Sequence, residues 1–257
     1  MQHAIRVGEG EDARTIAALS RPGAAPIVVW LGGLRSDMRA TKAEALDSWA
    51  SRTGRAFLRF DYSGHGESGG RFEDGTISRW LEDAAAALAD RQATRPILVG
   101  SSLGGWLALL LARHLRREAP DRAPAGLVLV APAVDFTERL MWDCFPEAVR
   151  AEIIERGVYL RPSLYSEDPY PITRALIEDG RRHLLLESAI EIGCPVHVLQ
   201  GMCDPDVPWE HALRLVEHLP GEGVQLTLVK DGDHRLSRPE DLDRLVRAVE
   251  RMAVSSG

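Results

Sequence analysis

The pentapeptide Gly100-Ser101-Ser102-Leu103-Gly104 holds a serine between two glycines at the spacing of a nucleophile elbow. The apolar, β-branched run Pro96-Ile97-Leu98-Val99 precedes it, and helix-forming composition from Leu103 through Arg113 follows it. Strand, tight turn and helix is the context in which such a turn strains the serine backbone and lifts its hydroxyl clear of a sheet. A serine hydroxyl is a poor nucleophile until a base takes its proton. The base in turn needs a carboxylate to hold its tautomer and to stabilise its cation. The chemistry therefore asks for an acid and then a histidine further along the chain.

Both are present. Val196-His197-Val198-Leu199-Gln200 reads as a strand and opens into Gly201-Met202-Cys203-Asp204-Pro205-Asp206-Val207-Pro208. A carboxylate in a turn just past a strand end is placed to serve as the acid. Asp204 is the first choice and Asp206, in the same turn, is the rival. Pro208 suits the first turn of a helix at Trp209-Glu210-His211. The last strand, Val224–Val229, runs into a polar loop carrying His234, before a final helix that Pro239-Glu240 begins. The chain has eight histidines, so a loop histidine alone says little. The rank of His234 as the last member, after Ser102 and Asp204, is what singles it out. Imidazole, with an unperturbed pKa of about 6.5, suits proton transfer near neutrality.

The tetrahedral oxyanion needs donors. One is expected from the backbone N–H of Leu103, the residue after the nucleophile. The other is expected from Gly32-Gly33-Leu34, which follows the strand Ile27–Leu31. Gly33 is preferred and Leu34 is the alternative.

The elements that must position these residues alternate. Strands are expected at 26–31, 56–60, 96–99, 126–130, 196–200 and 224–229, with helices at 41–52 and 76–91, after the elbow, and in the last stretch. An opening hairpin turns at Glu9-Gly10-Glu11-Asp12. This pattern predicts an α/β fold with a mostly parallel, doubly covered sheet and an active site at the strands' C-terminal ends. From 134 to 188 the alternation fails. No strand is expected there, only helical pieces at 147–156 and 172–187 and aromatic-bearing turns. The expected organisation is a core of 1–133 and 189–257 with a helical cap insertion at 134–188. Its aromatics are read chiefly as cap core, with Trp142, Phe145, Tyr159 and Leu164 available to line an apolar slot. Asp61-Tyr62-Ser63-Gly64-His65-Gly66 follows a strand and is read as a hydrogen-bonded turn rather than a second catalytic centre.

Composition narrows the classes. An apolar share of 45% supplies one large core, and a net charge of −7 with no basic block speaks against a nucleic-acid partner. Three cysteines without regular spacing (Cys144, Cys194, Cys203) argue against a disulfide framework and for a reducing compartment. With no leader or membrane-spanning run read in the sequence, a cytoplasmic location without stable membrane insertion is expected. No zinc-type spacing, phosphate loop or other cofactor signature occurs. Lysine stands only at Lys42 and Lys230, so nearly all the positive charge is arginine, pointing to a GC-rich bacterial genome.

Taken together, the chain resembles the α/β-hydrolase-domain serine hydrolases, and among them the mitochondrial palmitoyl-protein thioesterase and acyl-glucuronide esterase branch. The resemblance is carried by Thr41-Lys42-Ala43, Arg59-Phe60-Asp61-Tyr62-Ser63-Gly64, Val99 through Leu107, Pro162 through Glu167, Val207-Pro208-Trp209 and Asp233-His234-Arg235. It implies an α/β-hydrolase fold, and the triad Ser102, Asp204 and His234, which favours Asp204 over Asp206. It implies hydrolysis of thioesters or esters through an acyl-enzyme, with a small acyl ester or thioester, or an acylated protein, as substrate and no cofactor. Two departures accompany it. No transit peptide is read, so a mitochondrial location is not expected to carry over. Gly33 stands where the family carries a bulky residue, so a wider mouth to the acyl pocket is expected. The rival activities on such a scaffold are carbon–carbon or peptide-bond hydrolysis. A non-catalytic binding protein is disfavoured by the complete triad.

Overall fold

The computed structural model describes residues 1–162 and 169–255. Leu164 and Tyr165, and most of the Pro162–Glu167 stretch, lie outside the described residues. The chain opens with a hairpin, β1 (Gln2–Val7) and β2 (Arg14–Arg21), paired antiparallel around the turn at Gly10–Asp12. There follow β3 (Ala24–Leu31), α1 (Thr41–Thr53), β4 (Arg55–Phe60), α2 (Ile77–Asp90), β5 (Ile97–Ser101), α3 (Leu103–Glu118) and β6 (Gly126–Val130). An intervening segment carries α4 (Glu147–Arg156), β7 (Val158–Arg161), β8 (Tyr170–Thr173) and α5 (Arg174–Gly180). The chain closes with β9 (Val196–Gly201), α6 (Trp209–His218), β10 (Val224–Val229) and α7 (Pro239–Ser255).

Eight strands form one sheet in the order β1-β2-β4-β3-β5-β6-β9-β10. From β4 to β10 every pairing is parallel; only the hairpin and its seam to β4 are antiparallel. Alternate residues of the central strands feed two cores. Val28 and Trp30 of β3 pack with Leu46 and Trp49 of α1 and with Leu245 and Val249 of α7. Val29 and Leu31 face the other way, among Trp80 and Leu88 of α2 and Leu107 and Leu111 of α3. Each such fully buried aliphatic side chain contributes about 1.5–3 kcal/mol of transfer free energy. Helices on both faces explain why these strands are continuous apolar runs rather than alternating ones. This is the α/β-hydrolase fold. Among the described residues no helix is long and apolar enough to cross a membrane.

The segment between β6 and β9 departs from expectation in two ways. β7 and β8 form a small antiparallel ribbon where no strand was expected. The helix expected over 172–187 is confined to Arg174–Gly180. Ile172 and Thr173 are drawn into β8, and the Thr173 side chain caps α5 by accepting the Leu176 N–H at 3.1 Å. At the other end Gly180 sits so close to the Thr137 side chain that a Cβ there would collide with it. Buried polar contacts fasten the segment to the core. Asp135 accepts the N–H groups of Leu185 and Leu186, each at 2.8 Å, so it joins the segment's start to its end. Asp179 accepts the Ser78 N–H at 2.7 Å, at the start of α2.

Candidate active site

The elbow is built by glycine. A Cβ on Gly100 would run into the Gly104 carbonyl, and one on Gly104 into the Leu31 carbonyl, so β5, α3 and β3 approach as closely as they do only because these residues have none. The turn holds Ser102 at φ 54° and ψ −116°, a backbone region costly for any residue but glycine. Its strain is held in place by the fully buried β5 on one side and the buried first ten residues of α3, Leu103–Ala112, on the other. Ser102 opens onto a cleft of about 650 Å³ that His234, Leu103 and Gly33 also line. Leu103 begins α3, where the first amides have no carbonyl partner within the helix. A Cβ on Gly33 would stand 3.5 Å from the Cβ of Ser102, so the backbone of this loop lies directly against the serine.

The acid and the base are brought together. Asp204 Oδ2 lies 2.8 Å from His234 Nδ1. A carboxylate only accepts, so the proton of this bond sits on Nδ1 and the lone pair of Nε2 is left available to accept one. The rest of Asp204 is held by its own turn. Its Oδ1 accepts the N–H groups of Asp206 and Val207, each at 2.8 Å, and its Oδ2 also accepts Gln200 Nε2 at 3.1 Å. Asp206 lines the cleft but does not take the His234 bond. Gln200, fully buried at the end of β9, was not singled out in the sequence. Its signal was a polar residue closing an otherwise apolar strand. Its Nε2 also donates to the carbonyls of Gly201 and Val207, so it braces the whole acid turn.

Asp204, Asp206 and His234 also bring possible metal-binding atoms within 4.8 Å of one another. Four protein N–H groups already occupy the Asp204 oxygens. That donor set suits an acid that orients an imidazole better than it suits an ion.

The cleft is mixed in character. Its apolar lining includes Phe136, Leu140 and Met141 from the segment after β6 and Val207 from the acid turn. Its polar lining includes Arg35, Thr41, Lys42, Arg235 and Ser237. Arg161 and Tyr170, from the ribbon β7–β8, also reach the cleft. Burial lowers the Lys42 ammonium to about 8 and pushes the Tyr170 phenol up. Trp142, Phe145 and Tyr159, offered above as slot lining, do not line the cleft. Phe145 and Tyr159 stack edge to face on each other, with ring centres 5.8 Å apart, and the Trp142 ring lies under the Arg181 guanidinium at 4.7 Å. Edge-to-face pairing and a cation over a ring face are favourable uses of aromatic surface within the segment itself. The turn after β4 is structural: Asp61 accepts the N–H groups of Met38 and Glu67, and buried His65 packs among Tyr62, Phe72 and Trp80.

Known proteins share this architecture. Residues 27–248 match the family model described as the alpha/beta hydrolase family. The mitochondrial palmitoyl-protein thioesterase ABHD10 of Bos taurus is 36% identical over 248 residues, covering 92% of this chain and 79% of that protein. A putative hydrolase from Agrobacterium vitis has a crystal structure that matches with a TM-score of 0.96 and 53% identity, over 98% of both chains. The structure of mouse alpha/beta hydrolase domain-containing protein 10 matches with a TM-score of 0.88 and 31% identity, over 99% of this chain and 100% of that one. The expected cytoplasmic location is corrected by this comparison, because the bovine relative is a mitochondrial protein. Free thiols mark a reducing compartment without telling one such compartment from another. On the match over residues 27–248 and the likeness to these relatives, the chain is a hydrolase of the alpha/beta hydrolase family.

Proposed function

We propose that this chain is a serine hydrolase that cleaves carboxylic thioesters or esters through an acyl-enzyme, with Ser102 as nucleophile, His234 as base and Asp204 as its orienting acid. The observation that carries this reading is the 2.8 Å contact between Asp204 and His234, with His234 and the strained Ser102 lining one cleft. His234 Nε2 takes the Ser102 proton as Oγ forms a bond to the substrate carbonyl carbon. The N–H groups of Leu103 and Gly33 hold the oxyanion, with Leu34 the alternative to Gly33. The imidazolium then returns its proton to the leaving sulfur or oxygen as that bond breaks. A water, deprotonated by His234, attacks the acyl-enzyme and releases the acid.

Residues 134–188 act in this reading as the cap over a core of 1–133 and 189–257. Phe136, Leu140 and Met141 supply the apolar wall against which an acyl chain lies. The likeness to the bovine palmitoyl-protein thioesterase supports an acyl substrate, free or on a protein. The likeness to the Agrobacterium vitis hydrolase supports a bacterial source.

The test combines fluorophosphonate labelling with an acyl series from C2 to C16, presented as esters and thioesters. Labelling at Ser102 with kcat/KM rising several-fold per carbon is expected, since each buried methylene is worth about 0.8 kcal/mol. Activity that is best at C2 and falls steadily with length would replace the long-acyl reading with a small-acid esterase.

A further inference from the structure

Lys42 stands in the first turn of α1, where the helix dipole disfavours a cation. It also lines the cleft. It is one of only two lysines in a chain whose other cationic residues are arginines. Its ammonium is not spent on a carboxylate. It donates to the carbonyl of Arg235, the residue after His234, and lies 3.5 Å from the Ser237 hydroxyl, which itself donates to that carbonyl at 3.0 Å. The loop that carries His234 is held from the β9 side by the Cys203 N–H, which donates to the Gly232 carbonyl at 2.9 Å. Lys42 holds it from the α1 side, on the far side of the histidine.

We infer that Lys42 is a positioning residue for the reaction: by gripping the Arg235 carbonyl from α1, it fixes the backbone beside His234 and so the place of the imidazole relative to Ser102. The inference rests on the serine-hydrolase reading above. It makes Lys42 a titrating group of the cleft. The charged groups that face Lys42 are Asp233 and Arg235 from the loop and Asp241 from the first turn of α7. His234 stands next to them in the chain. Burial is the main cause that lowers the ammonium to about 8; Asp233 and Asp241 oppose the shift and Arg235 adds to it. Below that pH Lys42 is charged and grips the carbonyl firmly. As pH rises through about 8 the charge is lost and the grip slackens, so kcat falls on the alkaline side.

The experiment compares wild type, Lys42→Met and Lys42→Arg on an uncharged ester and on an ester with an anionic leaving group, from pH 6 to 10, with fluorophosphonate labelling and melting temperature as companions. Lys42→Met is expected to lose about 10- to 100-fold in kcat on both esters, the scale of a misplaced catalytic group, with KM little changed. Its residual activity should lack the alkaline fall. Lys42→Arg stays charged across the range, so it should restore much of kcat and also lack the alkaline fall. An unchanged kcat and pH profile in Lys42→Met overturns the inference. So does a loss confined to KM or to the anionic ester, which makes Lys42 a substrate contact instead. If Lys42→Met does not fold, the Lys42→Arg profile decides, and an alkaline fall retained there overturns the inference. Failure of the wild type to label, against a Ser102→Ala control, is the separate result that defeats the serine-hydrolase reading itself.

Discussion

On the core side of the cleft the backbone around Ser102 is enclosed by β3, β5 and α3, all fully buried where they meet, and the glycines at 100 and 104 allow no side chain. On the other side, the segment between β6 and β9 has short helices, a ribbon of four-residue strands and half-buried rings. Leu160 is 57% and Ile154 54% exposed. Interiors packed as tightly as the first region tolerate little change in volume, whereas the exposed positions of the second region, Leu160 and Ile154 among them, can be altered with small energetic consequence. The proposed function places the chemistry on the first side and the choice of substrate on the second. The two sides should respond to mutation in different currencies: rate and stability for one, selectivity for the other.

The largest effect tests the rigid side. Ser102→Ala is expected to lower kcat by about 10⁴-fold or more while the melting temperature holds, because one exposed hydroxyl leaves an otherwise unchanged turn. Asp204→Asn should approach that loss, since it removes the acceptor that sets the His234 tautomer, and Asp206→Asn should matter far less. Steady-state rates on one ester, with thermal melts alongside, check all three. If the Asp206 variant is the more damaged, the acid has been misassigned.

The next effect concerns stability in the same region. Burial lowers His65 to about 4, so the fold keeps it neutral while the unfolded chain takes up a proton below about 6.5. Its contribution is full above pH 6.5 and is lost as pH falls toward 4, by up to about 3 kcal/mol. Asp61 and Asp83, both raised by burial, titrate in the opposite sense at the acid end. The difference between wild type and His65→Phe is therefore the measure. Denaturant melts at pH 7 and pH 4.5 should show a smaller drop for the variant. Equal drops remove His65 from the acid sensitivity.

The smallest effect probes the boundary between the two sides. A Cβ at Gly33 meets Ser101 O and Ser102 Cβ at 3.4 and 3.5 Å, ordinary contact distances, so Gly33→Leu should fold with little change in melting temperature. Its side chain narrows the cleft mouth, and kcat/KM for long acyl chains should fall several-fold relative to short ones. A uniform loss across the C2–C16 series places the effect on the oxyanion donor rather than on the mouth.

The same division explains what could be read in the chain beforehand. The core strands and helices were legible because each is a buried run of consistent period, and Asp204 and His234 were legible because each follows such a strand directly. The ribbon β7–β8 was not, because four-residue strands with Pro171 inside one of them carry no period. Trp142, Phe145 and Tyr159 were identified as large rings, but their composition could not say whether they face each other or the cleft. Gln200, and the place of Lys42 in the cleft, escaped for the opposite reason. A lone amide at a strand end and a lone lysine in a first helical turn look like ordinary solvated residues until the fold brings Asp204 and Arg235 to them.

Asp135 receives the amides of both Leu185 and Leu186, so the polypeptide leaves the sheet layer and returns to it at a single carboxylate. What lies between those two points sets no condition on the spacing of β6 and β9, which pair directly with each other. A change of length inside that stretch only lengthens or shortens a closed loop, whose entropy grows slowly with its length, so long as the side chains it lends the core, Ile153, Ile172, Leu176 and Ile177 among them, stay buried. A protein engineer can therefore insert or delete residues between those buried anchors and leave the joined ends, and the sheet they belong to, as they are.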